Sequence, residues 1–167
     1  MTVASFILAL VTMQRLGELL LAQYNTRRLR ALGAVEAGAN HYLLLVSMHA
    51  AWLIALWLLG HDQPVDPFLL LAFIALQGMR WWVLSTLGSR WTTRIIVLPG
   101  APLVTGGPYR YMSHPNYAIV TAEIALLPLA LHLPWVALIF SVLNAAMLTI
   151  RIRAEQHALV EIGRRVA

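Results

Sequence analysis

Residues 116–150 read NYAIVTAEIALLPLALHLPWVALIFSVLNAAMLTI, two apolar runs joined by the short sequence His-Leu-Pro. A helix that is apolar on every side lies in the core of a large protein or crosses a membrane. This chain of 167 residues is too short to surround several such helices with soluble layers. The runs 116–131 and 134–150 therefore predict two membrane helices joined by a tight turn, a helical hairpin.

Three earlier stretches also have the apolar character of membrane-crossing helices. A span requires about 20 mostly apolar residues, and 3–22, 41–60 and 68–87 come near this length. The composition agrees, since 60% of the residues are hydrophobic, only 11% are charged and the mean hydropathy is +0.72. We predict one all-α integral membrane domain over residues 1–167, with about five transmembrane helices.

The arginines indicate how these helices are oriented. Apart from two within predicted spans, all arginines lie in the loops 24–40 and 88–114 and in the tail after residue 150. Because basic residues are enriched on the cytoplasmic side, we expect the N-terminus outside and the C-terminus in the cytoplasm. The net charge of +5 is thus a topology signal, and we do not expect nucleic acid as a partner. The chain has no Cys, so no thiolate-ligated metal is expected either.

Five polar residues lie inside the predicted spans, where a central charge costs about 2.5–3.5 kcal/mol. They are Arg15, Glu18, His49, Arg80 and Glu123. One interpretation is structural, since Arg15 and Glu18 are three residues apart and can form an ion pair on one helix face. The other is a polar chamber open to the cytoplasm, because the four charged residues all fall in the cytoplasmic half. In that case His49 and Glu123 are candidate substrate-binding residues.

The segment GGPYRYMSHPNY, residues 106–117, stands at the start of the hairpin. Pro115 disfavours helix at His114 and suits the first position of a helix. His114 would therefore lie just outside a helix N-terminus, which favours an anion. The alternative is an ordinary proline-started helix with interfacial tyrosines. Ahead of this segment, two short β-like runs around Pro99 and Gly100 predict a hairpin at the membrane surface.

The tail RIRAEQHALVEIG, residues 151–163, predicts a helix that turns two charges toward the bundle. At about 100° per residue, Ile152, Leu159 and Ile162 form an apolar stripe with Glu155 between them, and Arg151 lies about 40° from Glu155. An arginine four residues before a glutamate is usually a surface salt bridge, but this face is the apolar one. The pair is therefore a candidate site.

PLVTGGPYRYMSHPNY, then a helical hairpin, then RIRAEQHAL resembles the isoprenylcysteine carboxyl methyltransferase family. Members of that family carry a Leu-Val run with Gly-x-Tyr, then Arg-His-Pro-x-Tyr, and later Arg-x-x-x-Glu, commonly with a second Glu. The N-terminal half, with QRLGELLLAQYNTRRLRALGAVEAG and MHAAW, is similar to a small bacterial branch associated with methylating alkylpyrone-type polyketide lipids. The resemblance implies a bacterial inner membrane protein.

The resemblance also implies roles for individual residues. S-adenosylmethionine would be bound by residues 88–117 and 151–163. Within them its contacts would be Leu103, Val104, Tyr109, His114, Pro115, Asn116, Tyr117 and Glu155. Arg151 would hold the substrate, which makes Arg151 and Glu155 the catalytic pair. Two residues depart from the family pattern, Ser113 in place of Arg and Gln156 in place of the second Glu.

The function implied is methyl transfer to a carboxylate or acidic hydroxyl of a small lipophilic acceptor that enters from the bilayer, with S-adenosylhomocysteine as the second product. An ionised acceptor needs no general base, whereas a less acidic phenol would need one, for which His114 or Glu123 are candidates. Two other functions stay open. One is an NADPH-dependent membrane reductase of the steroid 5α-reductase type, and the other is a non-catalytic helical membrane subunit.

Overall fold

The computed structural model describes residues 2–166 and the side chains of residues 2–161. Over this range the chain forms five α-helices and one two-stranded sheet. The helices are α1 (Val3–Ala31), α2 (Tyr42–Gly60), α3 (Pro67–Leu87), α4 (Pro115–Ala130) and α5 (Pro134–Val166). The strands are β1 (Val35–Ala37) and β2 (Ile95–Val97). The fold is therefore helical, as predicted, with one small sheet added.

Four of the described helices, α1, α2, α3 and α5, are long and apolar enough to cross a membrane. Helix α4 has 16 residues, which at 1.5 Å per residue makes it about 24 Å long, shorter than a hydrocarbon core of about 30 Å. The predicted count of five spans is thus supported for four helices. Large apolar side chains such as Phe68 and Trp135 are exposed around the bundle, where lipid would cover them. The chain is an integral membrane protein.

Helices α4 and α5 form an antiparallel hairpin. His132 adopts a left-handed conformation (φ 55°) in the turn, and the N–H of Leu133 donates to the carbonyl of Pro128 at 2.8 Å. Pro134 then begins α5, where its missing N–H costs nothing. Side chains bridge the two helices in antiparallel order, Tyr117 with Glu155 and Thr121 with Asn144. This arrangement brings the beginning of α4 next to the C-terminal half of α5.

The buried apolar residues form two clusters separated by a polar layer. The larger cluster includes Leu8, Trp52 and Leu127, and the smaller includes Val83 and Trp91. Along α1, α3 and α4, charged side chains occupy the positions between these clusters. They are Arg15, Glu18, Arg80 and Glu123. The polar layer therefore crosses the bundle between its two apolar clusters.

The predicted hairpin around Pro99 and Gly100 is wrong. Strand β2, which lies in the third loop (residues 88–114), pairs instead with β1 of the first loop (residues 32–41). The pairing is antiparallel, with Ile96 opposite Glu36. The physical reason is charge: Glu36 accepts from Arg94 Nη1 at 2.5 Å and is also paired with Arg30. The first and third loops therefore meet on one side of the bundle.

Candidate functional site

A cavity of about 810 Å³ lies between α1, α2, α5 and the third loop. This volume is in the range of about 300–1,000 Å³ that is typical of small-molecule sites. One end is formed by β2, residues 101–105 and the start of α4. The other end reaches the polar layer at Arg15, Glu18 and Arg80. The cavity thus connects the loop side of the bundle with its charged interior.

Most of the residues predicted for the site lie on the wall of this cavity. They are Leu103, Val104, Tyr109, His114, Asn116, Tyr117, Arg151, Glu155 and His49. Two predicted residues are not on the wall, Pro115 and Glu123. Pro115 is the buried first residue of α4 and sets the position of His114 before it and Asn116 after it.

His114, Tyr117 and Glu155 form one cluster. The rings of His114 and Tyr117 are stacked, with centroids 5.1 Å apart and an interplanar angle of 15°. The Tyr117 hydroxyl donates to Glu155 Oε2 at 3.1 Å, and His114 Nδ1 lies 3.8 Å from the same oxygen. His114 makes no capping hydrogen bond to α4. Its ring therefore packs on Tyr117 of the first turn of α4, at the cavity wall, and does not cap the backbone of that helix.

The turn before α4 places Tyr109 at the same end of the cavity. Gly107 has φ 55° and lies so close to α3 that a β-carbon there would collide with the Thr86 hydroxyl. Burial, with a smaller contribution from the charge of Glu155, raises the pKa of Tyr109 to about 12. Its phenol therefore remains protonated at physiological pH and is available as a hydrogen-bond donor.

Arg151 is 5% exposed and lies on the cavity wall. Its Nη2 donates to the backbone carbonyl of Thr93 at 3.0 Å, and its guanidinium carbon is 5.9 Å from the centre of the Tyr117 ring. No carboxylate of the described side chains lies within 4.0 Å of the guanidinium. The simple salt bridge between Arg151 and Glu155 is therefore not formed.

The charged residues of the spans are joined in one network. The predicted Arg15–Glu18 ion pair is present at 3.0 Å, and Arg15 also reaches Glu123 at 2.8 Å. Arg80 binds Glu18 at 3.1 Å and holds Glu123 through two hydrogen bonds. Two amides, of Gln14 and Gln77, donate to the carboxylates. Two arginines and two glutamates balance each other.

This network corrects the prediction for Glu123. Its side chain is 1% exposed and lies behind Arg15 and Arg80, with both carboxylate oxygens accepting hydrogen bonds. A carboxylate bound by two guanidinium groups is a poor general base, so Glu123 is not suited to that role or to substrate contact. His49, in contrast, lies on the wall, with its Nδ1 2.9 Å from the Leu45 carbonyl.

Several residues of the wall were not predicted. Asn144 is a polar residue in the middle of an apolar run and gives the same kind of signal as His49. Thr93 contributes a backbone carbonyl, which no side-chain pattern reveals. Trp52 and Trp91 read as ordinary apolar core residues, yet both line the cavity. Among the described side chains, their indole N–H groups are buried without a hydrogen-bond partner.

The residues at the loop end fit a cofactor that has both hydrogen-bond donors and acceptors, as S-adenosylmethionine has. Asn116 Oδ1 is buried and lacks a partner among the described residues, as does Trp91 Nε1. One is an acceptor and the other a donor. The Glu155 carboxylate can accept from hydroxyl or ammonium groups, and the Tyr109 phenol can donate. Buried polar groups are normally paired, so these atoms suit a polar ligand.

Comparison with known proteins agrees with the resemblance. The profile of the Isoprenylcysteine carboxyl methyltransferase (ICMT) family matches residues 68–161. "Uncharacterized protein YpbQ" of Bacillus subtilis (strain 168) is 41% identical over 160 residues, covering 93% of this chain and 95% of that protein. An "Uncharacterized protein" of Haemophilus influenzae is 26% identical over 139 residues, covering 80% and 81%. The chain belongs to the isoprenylcysteine carboxyl methyltransferase family.

Proposed function

We propose that this member of the isoprenylcysteine carboxyl methyltransferase family transfers a methyl group from S-adenosylmethionine to the carboxylate or acidic hydroxyl of a small lipophilic acceptor. The family supports a membrane methyltransferase. The lining of the cavity favours a site for two ligands, because one end is polar and apolar walls extend from it into the bundle. An acceptor from the bilayer needs such walls, and a polar cofactor needs the loop end.

The observation that carries this proposal is that Arg151 is buried at the cavity without a carboxylate partner among the described side chains. A buried charge without a counter-ion is costly, and such groups are normally paired. Arg151 is 5% exposed, and its only hydrogen bond within the described residues goes to a backbone carbonyl. A ligand that brings a negative charge into the cavity would remove this cost. An ionised carboxylate or enolate matches the guanidinium in charge and, for a carboxylate, in its two-pronged geometry.

The chemistry requires little from the protein beyond binding. S-adenosylmethionine supplies a methyl group on a positively charged sulfonium. Arg151 would orient the acceptor oxygen toward that methyl group, and the transfer would give the methylated acceptor and S-adenosylhomocysteine. An already ionised acceptor releases no proton, so no general base is required. Positioning of the two partners is therefore the main contribution of the chain.

The cofactor would be held by residues from the third loop, the start of α4 and α5. We assign hydrogen bonds to Glu155, His114, Tyr109 and Asn116, whose polar atoms are at the loop end of the cavity. Tyr117 would act mainly by holding Glu155 and by stacking on His114. Leu103 and Val104 would provide apolar contacts. Pro115 would act indirectly, by starting the helix that carries Asn116.

The site would face the cytoplasm, where the cofactor is present. The arginine-rich first and third loops meet through the β1–β2 pairing, and Arg151 of α5 reaches Thr93 of the third loop. The positive-inside rule assigns this common side to the cytoplasm. Since the chain has no native Cys, Thr105→Cys gives a single label site. It should resist a membrane-impermeant thiol reagent in intact cells; labelling from outside would overturn this orientation.

Calorimetric titration of the purified protein with S-adenosylhomocysteine tests the cofactor. We expect the wild-type protein to bind it and Glu155→Gln to bind it more weakly, because that variant lacks the carboxylate charge. NADPH should not bind. Binding of NADPH without S-adenosylhomocysteine would instead indicate a membrane reductase. Absence of binding by either, in a protein that remains folded, would indicate a non-catalytic subunit.

A further inference from the structure

The deep end of the cavity contains a second group of polar atoms. Three of them are buried and unpartnered among the described residues: Arg15 Nε, Trp52 Nε1 and Asn144 Oδ1. Trp52 is 1% exposed and Asn144 is 0% exposed, and all three residues line the cavity. Unpaired polar atoms at such burial are rare and need an explanation. They are distinct from the loop end, where the cofactor would bind.

The hydrogen bonds of Asn144 fix which of its atoms is free. The Thr121 hydroxyl donates to the Tyr117 carbonyl at 2.9 Å, so it can only accept from Asn144. The Asn144 amide nitrogen, 3.2 Å away, must therefore face Thr121. This leaves Oδ1 as an acceptor without a partner among the residues that the structure describes.

His49 adds a second acceptor at this end. Its Nδ1 lies 2.9 Å from the Leu45 carbonyl, which can only accept, so Nδ1 carries the proton. In the neutral ring Nε2 then has a free lone pair. His49, Arg15 and Arg80 all line the cavity. Trp52 follows three residues after His49 on α2, so both lie on one helix face.

Depth along the helices separates this group from Arg151. Asn144 precedes Arg151 by seven residues on α5, which corresponds to about 10 Å along the helix. His49 follows Tyr42 by seven residues on α2, and the Tyr42 hydroxyl contacts Thr93, the residue that also receives the hydrogen bond of Arg151. The two helices therefore place His49 and Asn144 at similar depth.

The charge of the deep end differs from that of Arg151. Arg15 and Arg80 are balanced by Glu18 and Glu123, so this end does not call for an anion. It presents donors, Arg15 Nε and Trp52 Nε1, together with acceptors, Asn144 Oδ1 and His49 Nε2. A hydroxyl group both donates and accepts. The arrangement therefore suits a neutral hydroxyl better than a second charge.

We propose that Arg15, His49, Trp52 and Asn144 form a second subsite that binds a hydroxyl group in the apolar chain of the acceptor, about 10 Å from the acidic group at Arg151. This inference rests on the proposed function, since it takes the acceptor to be anchored by Arg151. It names the acceptor class as an amphiphile with an acidic head and a second, neutral polar group within its chain.

The test compares two probes, stearic acid and a stearic acid hydroxylated near the middle of its chain. Their affinities are measured by calorimetry on the protein in lipid nanodiscs saturated with S-adenosylhomocysteine. The wild-type protein should bind the hydroxylated probe roughly three- to tenfold more tightly, as expected for one or two neutral hydrogen bonds. Asn144→Leu should lose this preference and keep the affinity for stearic acid. Should Asn144→Leu fail to fold, His49→Leu should reduce the same preference.

Thr149→Val is the matched control, because Thr149 is an exposed polar residue of the same helix whose hydroxyl donates to its own backbone at Ala145. It should retain the preference. Equal affinity of the wild-type protein for both probes, or binding of neither, would overturn the subsite; a buried water could then satisfy these atoms. Arg151→Gln should weaken both probes equally. If it weakens neither, the proposed role of Arg151 fails, and the hydroxyl preference still decides the subsite.

Discussion

Two buried arginines of the bundle, Arg80 and Arg151, differ in what surrounds them. Their exposures are 2% and 5%. Arg80 is bound to Glu123 and Glu18, whereas Arg151 has a backbone carbonyl and an aromatic face. The charge of Arg80 is neutralised within the protein, without a ligand. The second arginine lacks a counter-ion among the described residues and lies at a cavity, so the difference points to an anion-binding role for Arg151 alone.

The same contrast separates the two polar regions of the cavity. The network at the deep end is electrically balanced and joins α1, α3 and α4. The loop end carries Arg151, Glu155 and His114, which come from different segments and leave hydrogen-bonding capacity unused. Stability should therefore depend mainly on the ion-pair network, and binding of the charged groups of the ligands on the loop end. Substitutions in the two regions test whether their roles differ in this way.

The largest expected effect is on stability, in Arg80→Met. Removal of this guanidinium leaves Glu123 and Glu18 sharing Arg15, and breaking a buried ion pair typically costs about 3–5 kcal/mol. Arg151→Met is the matched control, because it removes a buried charge that has no counter-ion among the described side chains. Its stability should be unchanged or higher. Reversible unfolding in mixed detergent micelles measures both.

The double variant Arg80→Met/Glu123→Leu sharpens this result. Replacing both partners with apolar residues should recover part of the stability lost in Arg80→Met, because no uncompensated Glu123 remains. Equal destabilisation by Arg80→Met and Arg151→Met would contradict the contrast between the two arginines.

The next effect is on acceptor binding, in Arg151→Lys. Lys keeps the charge and loses the planar fork, so the apparent KM for acceptor should rise roughly tenfold or more, as for the loss of a charge-assisted hydrogen bond. The affinity for S-adenosylhomocysteine should change little. Glu155→Gln should show the opposite pattern, with weaker S-adenosylhomocysteine binding and little change in the KM for acceptor.

The exchange variant Arg151→Glu/Glu155→Arg should stay inactive, because each residue has its own ligand. Restored activity in that variant would mean that the two residues serve each other.

A smaller effect is expected in His114→Ala. The imidazole is held at the cavity by Tyr117 and lies near Glu155, so its removal should weaken S-adenosylhomocysteine binding roughly three- to tenfold, the value of one hydrogen bond. Tyr111→Ala is the control, since Tyr111 is an exposed aromatic residue of the same segment. Equal effects of the two substitutions would make the segment an interfacial anchor.

The smallest effect is a local dependence on pH at the β1–β2 sheet. Burial disfavours the charged form of Glu36, yet the hydrogen bonds and charges of Arg94 and Arg30 together hold the pKa of Glu36 below its ordinary value of 4.5. A lowered pKa in the folded state means that the stabilisation is complete above pH 4.5 and is lost as the pH falls through the lower value. The protection factors of the amides of residues 35–37 and 95–97, which are corrected for the pH dependence of the intrinsic exchange rate, should decrease in that range. Glu36→Gln should remove the dependence on pH; an unchanged dependence would exclude Glu36 as its origin.

Features with a local signature could be predicted from the sequence. Apolar runs and prolines predicted the helices and the α4–α5 hairpin. Helical periodicity predicted that Arg151 and Glu155 face the bundle. Features that depend on a distant partner could not. Strand β2 pairs with β1 because Glu36 meets Arg94, 58 residues away, and nothing near Pro99 reveals this. The ionic partners of Glu123 likewise come from α1 and α3, so its character as a satisfied counter-ion follows from the fold alone.

The most direct test of the proposed function is methyl transfer itself. Purified wild-type protein and Arg151→Gln are incubated with methyl-labelled S-adenosylmethionine and a total bacterial lipid extract, and labelled products are identified by mass spectrometry. We expect a labelled methyl ester or ether of an acidic lipid with the wild-type protein. We expect little or none with Arg151→Gln, although that variant should still bind S-adenosylhomocysteine. Undiminished product with Arg151→Gln, or no labelled lipid with the wild-type protein, would contradict it.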